Sequence, residues 1–385
     1  MELQGIISTS DLLSSKLLKN TPIGLYVHIP FCKKKCGYCD FFSIPITGSV
    51  PKEYIEAVKS ELGENEYGIP VKSIYFGGGS PSLLKPTQIE HILDSIKYSF
   101  SLCGEIEVTV EINPEDVNFE WLSDIKKLGV NRISVGVQSF SDRELEYLGR
   151  RHNSSKAKLI CEWVGKIFDN WSLDLIYGVR GGTIDDWNEN LRTALRFNPP
   201  HISTYCLTIE ETTPLWRVEG AHEVDEELNL KLYKLTHKVL TFEGYSHYEI
   251  SNFSKRNKKC RHNLIYWRNE PYIGLGAGAY SFVPPYRCGN PKELDAYISA
   301  PGKKSEIDSL NIDIIKKETL LQHFRLKSGI SERYYYDRFG SSIWEDFGEK
   351  LNKLRKNKLV SVRNGTIFPT MRGFYLNNEI GLEIL

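Results

Sequence analysis

The stretch HIPFCKKKCGYCDFF, residues 28–42, decides how the rest of the chain is interpreted. Its cysteines, Cys32, Cys36 and Cys39, follow the spacing C-x3-C-x2-C. Thiolates bind soft metals such as zinc, copper(I) and the irons of iron–sulfur clusters. A structural zinc site and a [4Fe–4S] cluster both normally take four protein ligands. A set of three cysteines therefore leaves one metal position for another ligand.

Two kinds of metal site fit this spacing. A zinc ion could take the three thiolates together with His28, which stands four residues before Cys32. A [4Fe–4S] cluster held by three thiolates would instead keep one iron open for an exogenous ligand. Three unrelated free thiols in one loop are the remaining alternative, but such spacing rarely arises without a metal.

The composition of the 385-residue chain is that of an ordinary globular protein, with 41% apolar and 25% charged residues. Lys+Arg and Asp+Glu are equal at 49 each, so no global charge favours nucleic acid or an acidic membrane. The chain shows neither a long apolar run nor a secretory signal, although transient contact with a membrane surface is left open. We expect a cytoplasmic protein in which the scattered cysteines are free thiols. These are Cys103, Cys161, Cys206, Cys260 and Cys288.

Short β-rich runs alternate with helical patterns over the first two-thirds of the chain. This alternation favours a parallel sheet, as in a β/α barrel or a doubly wound sheet. The predicted strands are residues 25–29, 71–76, 106–112, 132–137, 172–176 and 202–207. The clearest predicted helices are residues 51–64, 86–99 and 154–168.

The last part of the chain has a different pattern. Residues 341–356 place Ile343, Phe347 and Leu351 at helical spacing, and two short strand-like runs then meet at Asn364-Gly365. A helix followed by a hairpin predicts a small α+β, winged-helix-like module. Residues 341–385 carry 7 Lys/Arg and 5 Asp/Glu, a net charge of only +2. We therefore expect a packing or lid role for this module and no DNA binding.

With these elements in place, the cysteine spacing after a first strand resembles the radical SAM superfamily. There the open iron is chelated by S-adenosylmethionine (SAM). The phrases YVHIPFC (26–32) and CGYCDFF (36–42) are similar to the branch that contains oxygen-independent coproporphyrinogen III oxidases and the related heme chaperones. The resemblance implies an N-terminal arm at 1–23, a partial (β/α)6 barrel at 24–304 and the C-terminal module at 305–385. The barrel range includes an extension that contains the sequence HNLIYW (262–267).

The same resemblance implies where SAM binds. The motif FGGGSPS (76–82) follows a predicted strand, and glycine there permits close approach of a ligand. Polar residues in TVEINP, VGVQSF, LGRRH and LDLIYG are expected near the carboxyl ends of further strands, the rim where β/α barrels bind ligands. The implied SAM-binding residues are Tyr26, Tyr38, Gly77, Gly78, Gly79, Glu111, Gln138, Arg150, Asp174, Thr208 and Tyr280.

A competing nucleotide motif occurs later in the chain. GLGAGA (274–279) satisfies G-x-G-x-x-A, with Asp295 roughly 20 residues further on. We expect no dinucleotide site there, because no clear strand precedes the motif and no βαβ unit surrounds it.

Two features separate the oxidases from the chaperones. The oxidases carry a further cysteine two positions after the third ligand, where this chain has Phe41. The chaperones carry H-N-x-x-Y-W, which is present at residues 262–267. Histidine is a common axial haem ligand, and aromatic faces suit a flat macrocycle. The resemblance thus implies haem binding by His262, Asn263, Tyr266 and Trp267.

The segment before this motif is basic. Its cations could pair with haem propionates, although a solvated loop and a structural histidine are the alternatives. Cys260 is a weaker candidate for a second attachment than for a buried free thiol. The basic residues are Lys255, Arg256, Lys258, Lys259 and Arg261.

The resulting hypothesis is a heme chaperone that binds a [4Fe–4S] cluster, SAM and haem and passes haem to an acceptor protein. An electron donor is left open, and no nucleic acid partner is expected. The first alternative is an oxygen-independent coproporphyrinogen III oxidase of porphyrin biosynthesis, and the second is a zinc-dependent barrel hydrolase. The sequence identifies no catalytic residue and favours a carrier over an enzyme without deciding between them.

Overall fold

The computed structural model describes residues 7–63, 66–220 and 225–385. Within these ranges the strands, in chain order, are β1 (Ile23–Ile29), β2 (Phe31–Cys32), β3 (Ile44–Pro45), β4 (Pro70–Gly78), β5 (Ser101–Ile112), β6 (Arg132–Gln138), β7 (Trp171–Tyr177), β8 (His201–Cys206), β9 (Ser246–His247), β10 (Asn252–Ser254), β11 (Tyr272–Leu275), β12 (Tyr280–Val283), β13 (Tyr286–Gly289), β14 (Glu306–Ser309), β15 (Ile330–Ser331), β16 (Val360–Arg363) and β17 (Thr366–Pro369).

The α-helices of the same ranges are α1 (Thr9–Leu13), α2 (Lys52–Leu62), α3 (Pro86–Ser99), α4 (Phe119–Lys127), α5 (Asp142–Tyr147), α6 (Ser154–Ile167), α7 (Ile184–Arg196), α8 (Pro214–Glu219), α9 (Glu226–Phe242), α10 (Arg261–Trp267), α11 (Leu294–Ser299), α12 (Ile312–His323), α13 (Glu332–Phe339), α14 (Ile343–Lys356), α15 (Met371–Tyr375) and α16 (Asn377–Ile384). Short 3-10 turns lie at Lys16–Leu18, Pro81–Leu83 and Pro114–Asp116. Among these described helices, none combines the length and the apolar character needed to cross a bilayer.

The main sheet is a partial barrel extended at both edges. In the described residues it contains twelve strands in the order β14-β13-β12-β11-β1-β4-β5-β6-β7-β8-β10-β9. The run from β1 through β4, β5, β6 and β7 to β8 is parallel throughout, with helices in the connections. This is the predicted partial (β/α)6 barrel, and the fold class is confirmed.

The predicted elements are found close to their expected bounds. Every predicted strand falls on one of the barrel strands, and β4 and β5 begin earlier than predicted. The predicted helix at 51–64 is observed as α2, and residue 64 lies outside the described residues. Apolar alternation located the strands because it marks the face that packs on the helices.

The two faces of the barrel strands differ in polarity. On β6, Ile133 and Val135 are fully buried among the apolar side chains of the outer layer. Ser134, between them, points inward and donates a hydrogen bond to Asp174 of β7 at 2.9 Å. β/α barrels more commonly fill their lumen with bulky branched side chains. A polar lumen therefore marks the interior of this barrel as a place for hydrogen bonding.

The described part of the N-terminal arm packs into the main core through Leu12, Leu13 and Leu18. Thr9 donates a hydrogen bond to Glu61 Oε1 at 2.7 Å. Residues 1–6 lie outside the described residues. From residue 7 onward, the arm is therefore part of the packed structure.

Glu61 on α2 is the centre of a buried polar cluster, which we call the Glu61 hub. Its side chain has no solvent exposure, and neither has that of Lys304, 3.4 Å away. Glu61 also accepts hydrogen bonds from the Tyr297 hydroxyl at 2.7 Å and from the Gly276 backbone N–H at 2.9 Å. Buried charges are tolerated when they are paired and fully hydrogen-bonded, as here.

The GLGAGA motif is part of this hub. Contrary to the prediction, a strand does precede it, because β11 spans Tyr272–Leu275. The antiparallel strand β12 follows, however, and so the motif supplies no helix N-terminus for a pyrophosphate. Instead, Ala277 N–H donates to the Tyr54 hydroxyl, which donates to the His28 carbonyl oxygen at 2.7 Å. The turn thus supports the base of the cysteine loop.

The C-terminal module has its own apolar core, which includes Leu320, Phe324 and Tyr335. Its elements follow the order α12-β15-α13-α14-β16-β17, as in a winged helix. The hairpin turn residues Asn364 and Gly365 have φ angles of 51° and 65°, as a two-residue type I′ turn requires. β14 continues the main sheet to residue 309, so the sheet ends within the segment predicted as the module.

Candidate cluster and cofactor site

The cysteine loop leaves the carboxyl end of β1 and runs between the short parallel strands β2 and β3. Its middle is held on two sides at Gly37. The Gly37 N–H donates to the Leu148 carbonyl at 3.0 Å, and the Gly37 carbonyl accepts from the Leu215 N–H at 2.8 Å. These bonds fix the path of the loop between its second and third cysteines.

A cavity of about 370 Å³ lies between this loop and the carboxyl ends of the barrel strands. It brings together residues that are far apart in the sequence, as predicted. The predicted residues that line it are Cys32, Cys36, Cys39, Tyr38, Gly78, Gly79, Glu111, Gln138, Arg150, Asp174 and Thr208.

Three predicted SAM residues do not line this cavity. Tyr26 shares a 2.9 Å hydrogen bond with His28 Nδ1, and Gly77 lies against the Tyr26 ring. Tyr280 lies on β12, in the extension beyond β1, and its hydroxyl donates to Glu306. For Tyr280, local sequence cannot distinguish a side chain on an edge extension from one on the barrel rim, which explains that difference.

Arg150 reaches the cavity from an unexpected direction. The sequence suggested that Arg150 stands near the end of a strand. In the structure it lies in a turn that follows α5. Its guanidinium donates to Asn113 Oδ1 at 2.6 Å, to the Gly136 carbonyl at 2.9 Å and to Cys36 Sγ at 3.4 Å. Arg150 therefore connects a cluster thiol to the ends of β5 and β6.

Glu111 and Asp174 form the acidic wall of the cavity. Burial raises the pKa of Glu111 to about 7, although the Tyr75 hydroxyl donates to it at 2.7 Å. Burial also raises the pKa of Asp174, and hydrogen bonds from serines oppose this effect. Ser134 and Ser172 donate to Asp174 at 2.9 and 3.1 Å. Ionised, both carboxylates favour a positively charged ligand.

Sequence reasoning missed several residues of the cavity wall. Asn113 Nδ2 donates to Ser80 Oγ at 2.7 Å, and its Oδ1 accepts from Arg150. Ser80 belongs to FGGGSPS, one position after Gly79, and Asn113 belongs to TVEINP, two positions after Glu111. Both motifs had been identified, so these residues could have been found from the sequence. Ser134 and Tyr205 also line the cavity, and their inward-facing strand positions were the only signal for them.

The backbone at Gly79 packs closely against the cysteine loop. A Cβ built on Gly79 would lie 2.7 Å from the Phe31 carbonyl oxygen and 3.0 Å from Cys32 Sγ, so only glycine fits there. Ser80 Oγ donates to the same sulfur at 3.6 Å. Three soft thiol donors around an open cavity match a cluster with one open iron.

The zinc alternative does not fit this arrangement. Both ring nitrogens of His28 are engaged, one with the Tyr26 hydroxyl and the other with the Phe42 carbonyl oxygen at 3.2 Å. Throughout residues 7–63, 66–220 and 225–385, no group of three or more His, Cys, Asp or Glu side chains is arranged around a single metal ion. His28, the possible fourth zinc ligand, is therefore engaged by other groups.

Comparison with known proteins agrees with this geometry. The radical SAM superfamily model matches residues 26–194, and the HemN C-terminal domain model matches residues 315–376. The heme chaperone HemW of Synechocystis sp. is 40% identical over 72% of this chain and 70% of that protein. The heme chaperone HemW of Bacillus subtilis is 32% identical over 92% of this chain and 97% of that protein.

The chain belongs to the HemW family of the radical SAM superfamily. Membership of the superfamily implies a [4Fe–4S] cluster and SAM, and the cavity described above holds the residues that fit them. The solved coproporphyrinogen III oxidase HemN of Escherichia coli has a TM-score of 0.82 at 21% identity, covering 97% of this chain and 93% of that one. At that identity, the likeness establishes the shared fold.

The H-N-x-x-Y-W segment of this HemW-family chain does not line the cavity, and its contacts include Ser73 of β4 and Glu107 of β5. It forms α10, and the His262 ring stacks on Tyr75 with centroids 5.0 Å apart. His262 Nδ1 is bonded to Ser73 Oγ and Nε2 to the Tyr266 hydroxyl, both at 2.9 Å. Its side chain is buried, and burial lowers its pKa to about 3. Both ring nitrogens are hydrogen-bonded within the protein in this conformation.

Replacing His262 with alanine is expected to lower the free energy of unfolding by about 2–4 kcal/mol, because it leaves a cavity and buried hydroxyls without partners. Denaturant unfolding of the full chain measures this effect. His91, exposed on α3, gives the matched control His91→Ala, which we expect to change stability little. Unchanged stability of the His262 variant together with a lost haem absorption band would contradict this assignment.

Several cations of the basic segment 255–261 already contact other groups of the protein. Arg261 donates to the Glu105 carbonyl oxygen, Lys255 bonds to Asn198, and Lys259 lies over the Tyr248 ring. Cys260 is buried and its thiol lies 3.8 Å from Glu107 Oε1. These contacts favour structural roles for Arg261, Lys255 and Cys260.

Proposed function

We propose that this protein is a heme chaperone that binds a [4Fe–4S] cluster, SAM and haem and transfers haem to an acceptor protein. The observation that carries the proposal is the identity to curated heme chaperones along nearly the whole chain, from the cysteine loop to the C-terminal module. The acceptor, an electron donor and a cytoplasmic location are parts of the proposal, the last because free thiols and an iron–sulfur cluster suit a reducing compartment.

We further propose that Cys32, Cys36 and Cys39 hold the cluster and that the acidic wall and Arg150 hold SAM at the open iron. The cluster, when bound, supplies an electron-transfer centre and a chelation site for the amino acid end of SAM. The cavity's carboxylates, Glu111 and Asp174, complement the cationic ligand. Because Gly79 has no side chain, its backbone can lie close to Phe31 and Cys32 at the edge of the cavity.

For haem, we propose contact at Asn263 and Trp267, which are half-buried, without ligation by His262. This departs from the sequence hypothesis, because the bonds of His262 to Ser73 and Tyr266 would have to break first. Tyr266 then serves as a support for His262 and not as a haem contact.

The alternative function is decarboxylation of coproporphyrinogen III, and the second position after the third cysteine bears on it. Phe41 stands there and is 71% exposed beside the cluster cavity. A side chain without a thiol cannot provide the additional cysteine of the oxidases. This supports the carrier over the oxidase.

One anaerobic experiment separates the two functions. The reconstituted full chain is titrated with haem and, separately, incubated with coproporphyrinogen III, SAM and a reductant. We expect stoichiometric haem binding, passage of haem to apomyoglobin as a probe acceptor, and no protoporphyrinogen formed over many turnovers. Protoporphyrinogen and 5′-deoxyadenosine accumulating in excess over protein would overturn the proposal in favour of the oxidase.

A further inference from the structure

A cluster of polar side chains lies where the barrel meets the C-terminal module; we call it the junction site. Its half-buried members are Trp267 at the end of α10, Gln322 on α12 and Arg325 just after α12. Its buried members are Glu249 and Asn252, which are 0% and 2% exposed. The junction site therefore combines side chains from the barrel and from the module.

Backbone and ring contacts hold the two walls of the junction site together. The Arg325 carbonyl oxygen accepts from the Ile250 N–H at 3.2 Å, and Leu326 forms an antiparallel bridge with Glu249. The Arg325 guanidinium stacks on Trp267 with 4.3 Å to the ring centroid. Such a stacked guanidinium is oriented and keeps its N–H groups available at the ring edge.

Five buried polar atoms of the junction site have no partner among the described residues. Two of them are donors, Trp267 Nε1 and Arg325 Nε. The other three are oxygen atoms that accept hydrogen bonds, namely Glu249 Oε1, Asn252 Oδ1 and Gln322 Oε1. Buried polar groups in native proteins almost always have partners, so a ligand or ordered water completes this site.

The donors set the chemistry of the ligand. An arginine and an indole N–H beside one another suit a carboxylate, which accepts from both. Glu249 is compatible with such a ligand, because burial raises its pKa to about 7 while Arg325 opposes the shift. When protonated, its carboxyl group donates a hydrogen bond to a second carboxylate instead of repelling it.

We propose that the junction site anchors a carboxylate of the haem cargo, a propionate, through the N–H groups of Arg325 and Trp267, and that ordered water donates to the unpartnered oxygen atoms. This inference rests on the proposed function. It assigns the propionate contact to the module and the end of α10, in place of the basic segment 255–261, several of whose cations are already engaged. Haem then bridges barrel and module.

Haem and haem dimethyl ester, which lacks the propionate charges, test the inference on the reconstituted full chain. We expect the protein to bind haem roughly tenfold or more tightly than the diester, because charge-assisted hydrogen bonds are lost in the diester. Arg325→Met should abolish this preference and Trp267→Phe should reduce it. Arg287→Met is the matched control. Arg287 lies on β13 and donates to Glu318 of α12 at 2.6 Å, and it is not part of the junction site.

The outcomes separate the inference from the proposed function. Two results would overturn the inference. One is equal binding of haem and the diester by the unsubstituted protein, and the other is an unchanged preference for haem in both Arg325→Met and Trp267→Phe. Either result would mean that only internal water occupies the junction site. Absence of any haem binding by the unsubstituted protein overturns the proposed function itself. The Trp267→Phe variant keeps an aromatic ring, so its result stands even where Arg325→Met fails to fold.

Discussion

Replacing Cys36 with serine is expected to remove most of the iron from the anaerobically reconstituted protein. The unsubstituted chain should hold about four irons in a [4Fe–4S] cluster. A serine hydroxyl is a harder and more basic ligand than a thiolate and holds iron–sulfur clusters poorly. We expect iron content to fall to roughly a tenth in Cys36→Ser, and likewise in Cys32→Ser and Cys39→Ser. Iron and sulfide analysis together with the broad visible absorbance measures this.

Cys206 supplies an unusually close control for these variants. It is exposed and lines the same cavity, yet it lies outside the C-x3-C-x2-C spacing. Cys206→Ser should therefore keep its iron and its absorbance. Full iron content in a variant of the triad, or equal loss in Cys206→Ser, would show that the cluster is held by other ligands.

Loss of charge on the acidic wall is expected to weaken SAM binding strongly. Glu111→Gln and Asp174→Asn should each raise the dissociation constant of SAM by about 10- to 100-fold, the range for a lost hydrogen bond to a charged group. The side chains keep their size, so the fold should be unaffected. Equilibrium dialysis of SAM against the anaerobically reconstituted protein gives the constants.

The pH dependence of SAM binding follows from the same wall. Because the Glu111 carboxyl has a pKa of about 7, it takes up a proton as pH falls through that value. The ionised form favours the cationic ligand, so SAM affinity should decrease below pH 7, and Glu111→Gln should lose much of this dependence.

Glu219 offers the control for both effects. It bonds to the Tyr147 hydroxyl at 2.9 Å and pairs with Arg180, away from the cavity wall. Glu219→Gln should bind SAM as the unsubstituted protein does, with the same pH profile. Unaltered affinity and an unaltered profile in both wall variants would remove Glu111 and Asp174 from the site.

The barrel could be predicted from the sequence because its outer layer is apolar and periodic. On β1 and β6, alternate residues such as Val27 and Val135 are fully buried, and this pattern is visible without coordinates. β11 was missed since it is only four residues long and contains Gly274, which lacks a side chain to mark a face. The continuation of the sheet to residue 309 was missed because β14 is exposed and has no apolar alternation.

The cavity was predictable where a motif ends a strand and less so elsewhere. Gly79, Glu111 and Asp174 stand in distinctive phrases and were correctly gathered at one rim. Tyr280 was not, because its position depends on how β12 folds back on β11. The partners of His262 were also invisible, since Ser73 stands 189 residues before it and reaches it only through the barrel lumen.

The Glu61 hub has a practical consequence for anyone producing this protein. Thr9 near the beginning of the chain and Lys304 near the end of the main sheet meet on one carboxylate. The same carboxylate holds the turn at Gly276, whose neighbour contacts Tyr54 below the metal-binding loop. Shortening the amino terminus past Thr9 for recombinant expression would therefore remove a support of the cysteine loop.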